Sequence, residues 1–537
     1  MLIPLAAAQF LASYDSSSMN VAISSIVEDL DTTVTGVQTA ISLFTLTMAA
    51  LMIPGSKLTD IWGRRRCFRL GLAVYATGAF ITALSPGLGA MIFGWSLLEG
   101  IGSALMIPPI YIIVTVSIPK MSDRAKAFGV VSAAAGLGAA SGPLIGGIIT
   151  SAITWRASFA MEVIAILVIL YLSRHIPDHV PEEKHTLDIG GTILSAGGLV
   201  FIVLGILQAG SYGWLKARKD FTVGDTVVLS KGDISPVLVL IGIGLGLLLL
   251  FWIYTKARER RGKEPLISTR LFSNKVSDLG LITQNSQWFI MIGTFFIISV
   301  FLQVSKGLNA IETGIALFPA TIGILLASAR AKKMFGRFSQ RAIIRGGFVG
   351  ILAGLLYIIL VINPDSSVWL MAPGLFVVGF SAGSMLTASV NVVQSSVSDR
   401  DQGELSGVSR AVSNLGSSMG TAIAGAVLIS TLTSGITSLT NESTVLTDPE
   451  KTQIYGAMQG DVATLSDQQV EDMLEGQPQE VVDEVTRINA DARNRALGLA
   501  LLSVAIIGLI GLGAALLLPP TPASAPAAAA TAAKPET

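Results

Sequence analysis

Apolar runs of eighteen or more residues, parted by short polar segments, recur along nearly the whole 537-residue chain. Each is long enough to cross a hydrocarbon core of about 30 Å as a helix. The pattern places spans near residues 2–24, 35–55, 69–86, 90–112, 125–149, 157–173, 188–208, 236–255, 276–303, 310–330, 343–362, 367–390, 404–430 and 495–518. That predicts fourteen helices and an all-α membrane protein. Two segments break the rhythm. Residues 215–235 alternate around Gly224 and Asp225 and read as a small surface hairpin. Residues 431–494 are polar and rich in acids, with Val481, Val482, Val485 and Ile488 at helical spacing, and read as a partly helical cap. The tail at 519–537 is rich in Pro and Ala and reads as disordered.

Composition agrees: only 13% of residues are charged, against about a quarter in a soluble domain. The net charge of zero hides an asymmetry. If both termini are cytoplasmic, the clusters Arg64 to Arg69, Lys256 to Lys275 and Arg330 to Arg345 all fall inside, and only Arg156 and Lys306 occupy short outer loops. A shift by one span would scatter these clusters over both sides, which the bias of basic residues toward the cytoplasm disfavours. The expected setting is therefore the inner (cytoplasmic) membrane. The spans divide into two six-helix halves, 1–175 and 276–518, with two inserted helices in the linker 176–275, and such internal repetition is common in secondary transporters.

Several chemistries drop out. The lone Cys67 offers neither a disulfide nor a cysteine metal site. His175, His179 and His185 are interrupted by Pro177 and Pro181, so no metal is expected. Gly242, Gly244 and Gly246 sit in an apolar span with no following Lys-Ser/Thr, which excludes a phosphate loop. The first run lacks a basic leader and a small-residue cleavage site, so no cleaved signal peptide is expected. With no nucleophile and base constellation, the chain reads as no enzyme, with no cofactor and no nucleic-acid partner.

What remains is inside the spans, where the reading admits three acids, Asp15, Glu99 and Glu162, and no basic side chain. Ionisable groups at membrane depth are costly and mark pathways by default. Asp15 lies mid-helix beside Ser17, Ser18 and Asn20; its plain alternative is a neutral carboxyl bonded to a neighbouring helix. Glu99 shares one helical face with Ser96, Ser103 and Met106, expected to line a water-filled cavity, the alternative being a small-residue helix contact. Glu162 follows Trp155-Arg156 by seven residues, near enough to the outer interface for simple solvation to compete with function. Trp288, Gln284, Gln287 and Asn391 are further candidates for the cavity lining. Gly138, Gly142 and Gly146 recur about one turn apart, which permits close helix approach, and Pro143 removes a backbone donor and favours a bend. At the basic end, Asp60, Gly63, Arg64 and Arg65 offer a turn, a carboxylate and guanidinium groups, either as a latch or as topology signals alone.

Taken together these residues resemble the fourteen-helix drug:proton antiporters of the major facilitator superfamily, over almost the whole chain. Asp15 and Asn20 match the helix 1 signature, with Ser24 where Pro is usual. Leu58, Asp60, Gly63, Arg64 and Arg65 match the loop between helices 2 and 3, with Ser56 in the leading Gly position. Gly138, Gly142, Pro143, Gly146 and Gly147 match the antiporter signature of helix 5. Trp155 to Phe159, the segment 265–272, Gln303, Gly307, Gly314 and Pro319 also look like that family. The resemblance implies a major facilitator fold, export by antiport, and gating at the loop motif. One departure stands out: the helix 4 signature usually has Arg four residues before its Gly, and here Ser96 precedes Gly100, with Glu99 and Glu162 replacing the usual Gln and Asn.

The expected function is secondary export of amphipathic or cationic small molecules in exchange for protons. Asp15 and Glu99 would be neutral in a dry or occupied cavity and ionise when it opens to water. Export of one dedicated metabolite, antibiotic or lipid is the second reading, and a non-transporting sensor the third. The expected partners are a small molecule, protons and the bilayer; the chain is expected to be monomeric, with any outer partner engaged through 431–494.

Overall fold

In a computed structural model, residues 1–118, 121–176, 186–223, 226–335, 337–362, 366–394, 396, 402–449, 451 and 478–519 are described. The tail expected to be disordered lies outside them except for its first residue. So do the two turn residues of the hairpin, the middle of the 431–494 segment, and His179 and His185.

The architecture is helical throughout, as lipid demands: with no water to satisfy backbone polar groups, a spanning segment must bond to itself. In order come α1 (Leu2–Ser18), α2 (Val34–Trp62), α3 (Arg64–Ala83), α4 (Leu88–Val114), α5 (Met121–Ala152), α6 (Trp155–Ser173), α7 (Ile189–Leu207), α8 (Pro236–Arg260), α9 (Lys275–Ser305), α10 (Ala310–Phe335), α11 (Gln340–Val361), α12 (Ala372–Gln394), α13 (Gln402–Glu442) and α14 (Gln479–Leu517). Eleven of the described helices are long and apolar enough to cross a membrane, and α5 is a twelfth, its parts Ala133–Ala139 and Ser141–Ala152 meeting at 42°. The other two predicted spans are also helices of the same bundle. α1 stops after 17 residues at the tight turn Met19–Val21 before a short helix at Ile23–Asp29, and α3 opens with Arg64, Arg65 and Arg66.

Helix starts follow the sequence closely. Thr33, Asp188, Ser235, Asn274 and Ser339 accept backbone N–H bonds at the starts of α2, α7, α8, α9 and α11, each satisfying a donor that the first turn leaves without a partner. Between α2 and α3 the chain reverses at Gly63, with φ 93° and ψ 143°. This region is open essentially to glycine alone. A Cβ there would have no atom within 4 Å, so Gly63→Ala should lose about 1–3 kcal/mol purely from backbone strain. Thermal unfolding in detergent checks it.

α1 packs along α5, α3 lies against α4 and α6, α9 against α13 and α14, and α10 and α11 against α12. The two halves meet along α5 with α10 and along α2 with α13. In each contact the fifth helix of one half meets the second helix of the other, a two-fold relation built from the internal repeat. α7 and α8 pair with each other, and α7 leans on α2 and α13. The outward side of α8 carries Leu245, Leu249 and Ile253, all more than half exposed. Such a continuous apolar surface is what lipid covers. Between α7 and α8, Phe221–Val223 and Thr226–Leu229 pair as two antiparallel strands, Val223 opposite Thr226.

The basic end is tied by side chains. Asp188 caps α7 and also accepts from Tyr254 Oη (3.1 Å) and from the backbone of Leu266 (3.2 Å), with Arg258 at 3.5 Å. Lys57 on α2 bonds Glu264 at 2.8 Å, and Glu404 of α13 accepts from the backbone of Ser268. The segment 264–269 therefore knots α2, α7, α8 and α13 together.

Candidate functional site

Asp15, Glu99 and Glu162 come from α1, α4 and α6, yet the structure brings them together. All are fully or almost fully buried, and one carboxylate oxygen from each lies within 4.8 Å of the others. Glu162 is therefore not solvated at an interface, as its distance from Trp155 allowed, but is 2% exposed and part of the pocket. Asp15 accepts from Tyr75 Oη on α3 at 3.0 Å and from Trp95 Nε1 on α4, which lies 3.0 Å from both carboxylate oxygens. Tyr75 gives its hydrogen bond to Asp15, and the four carboxylate oxygens of Glu99 and Glu162 lie buried around it without a well-formed bond to any described residue. Among the described residues no ion pair reaches the three acids.

Beside this pocket, and separate from it, lies a cavity between the two halves. Ser17 of α1, Asn20 of the turn that follows it, Pro143 of α5 and Trp288 of α9 line it. Ser96, Ser103 and Met106 do not. Residues Ile92–Glu99 form a π-helix, whose wider turn takes Ser96 out of 3.6-residue phase with Glu99, while Ser103 and Met106 follow Glu99 on regular α-helix and are fully buried, as it is, away from the cavity. Ser96 instead donates to the carbonyl of Ala40 on α2 at 2.8 Å, a contact between helices. Gln284 and Gln287 are bonded to Ser409, Ser389 and the Ala382 carbonyl within the second half, and Asn391 is exposed, so none of the three lines the cavity.

The cavity also holds what the sequence reading missed. Arg410 of α13 lines it, donating to Tyr111 Oη and lying 4.7 Å above that ring. Tyr111 in turn donates to Gln9 Oε1 of α1 at 3.3 Å. The expectation of no basic side chain inside the spans is thus corrected. Arg410 falls seven positions into the predicted span 404–430, where a basic residue reads as an interfacial anchor. But α13 is a 41-residue helix, and the position lies against the cavity.

The glycines of α5 lie against α1. A Cβ at Gly138 would stand 2.3 Å from the Phe10 carbonyl oxygen, at Gly142 1.8 Å from Ser17 Oγ, and at Gly146 2.7 Å from Ser18 Cβ. Gly147 faces the other way, with the Ala310 carbonyl oxygen of α10 at 2.5 Å from its virtual Cβ, while Gly314 of α10 meets the Pro143 carbonyl. α5 is therefore clasped between α1 of its own half and α10 of the other. At the same end, Gln303 of α9 accepts from Ser24 N at 2.9 Å and donates to the Asn20 carbonyl at 2.8 Å. Of the four residues assigned to gating, Gly63 makes the α2–α3 turn, Arg64 opens α3, and Arg65 donates to the Arg174 carbonyl at 3.0 Å. Asp60 falls near the end of α2, and its side chain lies outside the described residues.

Residues 5–421 match the family profile described as Major Facilitator Superfamily. The chain is 27% identical over 420 residues to the Puromycin resistance protein pur8 of Streptomyces alboniger, covering 77% of this chain and 78% of that one. It is 25% identical over 402 residues to the Methylenomycin A resistance protein of Bacillus subtilis, covering 74% and 81%. Among solved structures, an inward-facing bacterial homologue of the human lysosomal transporter Spinster superposes with a TM-score of 0.57 at 15% identity, over 97% of this chain and 98% of that one. The peptide transporter POT does so at 0.55 and 17%, over 95% of each. The chain belongs to the Major Facilitator Superfamily and is a multi-pass membrane transporter, not an enzyme.

Proposed function

We propose that this transporter exports amphipathic small molecules across the cytoplasmic membrane in exchange for protons, with both termini on the cytoplasmic side. The observation that carries the reading is the buried Asp15–Glu99–Glu162 pocket. Three carboxylates this close, without a described cation in contact, repel one another too strongly for all to be ionised together. Such a pocket stores protons when closed and releases them when water reaches it. Alternating access between the two halves, hinged along α5–α10 and α2–α13, would open the cavity first to one side and then to the other. Curated relatives are named for resistance to or export of antibiotics, among them the Cephamycin export protein CmcT and the Probable actinorhodin transporter, which supports outward transport.

A second reading is favoured by Arg410. A guanidinium lining the cavity opposes a purely cationic cargo and suits one with an anionic or acceptor group. Export of one dedicated metabolite or antibiotic then competes with broad drug efflux. Purified protein in proteoliposomes, loaded in turn with cationic dyes and with acidic antibiotics, separates them under an imposed pH gradient. Proton exchange requires gradient-driven flux of at least one probe. A cation-only profile would count against the Arg410 reading, and flux indifferent to the gradient would sink the proton reading.

A further inference from the structure

Among the described residues, Trp95 alone both lines the cavity and bonds an acid of the pocket: it is among the cavity residues, whereas Asp15, Glu99 and Glu162 are not. Its ring stacks on Phe44, another cavity residue, with centroids 5.1 Å apart and planes at 15°. On another side Phe159 of α6 meets it edge-on at 6.2 Å. Trp95 also sits in the π-helical stretch Ile92–Glu99, which ends at Glu99 itself. A π-segment is a place where a helix changes register at small cost and is frequent at functional sites, so a shift of Trp95 carries Glu99 with it.

We propose that Trp95 couples occupancy of the cavity to protonation of the acid pocket: the indole is held back by ionised Asp15 and swings into the cavity when Asp15 takes a proton. This deepens the proton-exchange reading and rests on it. An N–H bond to a carboxylate is roughly twice as strong as one to a neutral acceptor. Ionised Asp15 thus retracts the ring against Phe44 and clears the space; protonated Asp15 loosens it. A cargo pressing its apolar face on Trp95 and Phe44 keeps the indole retracted and so favours the ionised carboxylate. Cargo and proton then exclude each other without touching, and linkage makes the effect reciprocal. The other titratable groups facing Asp15 are Tyr14 on α1, Tyr75 on α3, Glu99 on α4 and Glu162 on α6; the described side chains of α5 include none.

The test has two arms on full-length protein. Ultraviolet resonance Raman spectra, differenced between wild type and Trp95→Phe, isolate the band that reports indole N–H bonding. It should shift from alkaline to acidic pH in wild type, vanish as a titration in Asp15→Asn, and persist in Trp252→Phe, a tryptophan of α8 that meets Phe272 edge-on. Should Trp95→Phe not fold, the wild-type minus Asp15→Asn difference carries the same band. In proteoliposomes with ethidium as the probe, Trp95→Phe should make ethidium affinity indifferent to pH, where wild-type affinity falls on acidification, and lose about tenfold of its gradient-driven flux. A wild-type indole band indifferent to pH overturns the proposal, as does Trp95→Phe flux that follows the gradient as wild type does. Wild-type flux of every probe that ignores the gradient, with the indole shift present, sinks the proton-exchange reading instead.

Discussion

Asp15→Asn is expected to abolish transport driven by a pH gradient, a fall of about a hundredfold or more, the usual scale on which a positioned proton-transfer group acts. Asparagine keeps the size and one acceptor oxygen, so Tyr75 or Trp95 retains a partner, but it can neither bind nor release a proton. Its amide also turns a donor toward donors, because both Tyr75 Oη and Trp95 Nε1 point at the carboxylate. The expected stability loss is about 1–3 kcal/mol, the scale for a buried donor left without its partner. Glu99→Gln and Glu162→Gln should do less individually, since the Tyr75 hydroxyl and the Trp95 N–H both bond Asp15 and removing one like charge relieves the others. Thermal unfolding in detergent, read beside proteoliposome flux, distinguishes lost coupling from lost protein. If Asp15→Asn pumps against a gradient at the wild-type rate, the pocket is structural.

The spans were legible in the sequence because a bilayer leaves the backbone no alternative to a helix. The acids were legible because they are expensive there. What could not be read was which helix faces which. Helical period places Ser96 on one stripe with Glu99, Ser103 and Met106 only if the turn is regular, and the π-helix at Ile92–Glu99 takes Ser96 out of phase; the other three keep their phase on α-helix, but period alone does not say that their stripe is buried rather than turned to the cavity. The sequence distance from Trp155 to Glu162 fixes depth along α6 but not what stands opposite, which is Asp15. Trp95 carries no signal in the sequence; the partner of its N–H, Asp15, is supplied only by the packing of α1 on α4. Arg410 was passed over when the spans were read as free of basic side chains, although it falls inside the predicted span 404–430; that it lines the cavity follows only from how α13 packs. The glycines needed least: their spacing alone states that something comes close, though not that the partner is α1.

Gly138→Ala and Gly142→Ala should differ, and the difference tests whether the α1–α5 contact works as a close sliding surface. At Gly138 the added Cβ would lie 2.3 Å from a backbone carbonyl oxygen, that of Phe10, which no rotamer change can move. The helices must separate, and overpacking of this kind costs about 1–3 kcal/mol. At Gly142 the nearest atom is Ser17 Oγ at 1.8 Å, with Ser17 Cβ at 2.9 Å and the Ser18 backbone nitrogen at 3.0 Å. Most of that clash belongs to a single hydroxyl, so Ser17→Ala should restore much of what Gly142→Ala loses and nothing of what Gly138→Ala loses. Ser17 Oγ bonds only carbonyls of its own helix, Ser13 and Tyr14, so its removal leaves no partner on another helix bare. Contacts this close couple through the shared surface, and a double-mutant cycle of melting midpoints and transport rates reads the coupling directly. Because α5 also meets α10 through Gly147 and Gly314, a separation of α1 from α5 moves the interface between the halves as well. Gly138→Ala is therefore expected to lose transport at a temperature where the protein is still folded. Equal rescue of both glycine variants by Ser17→Ala would show that the α1–α5 approach is not set by backbone contact.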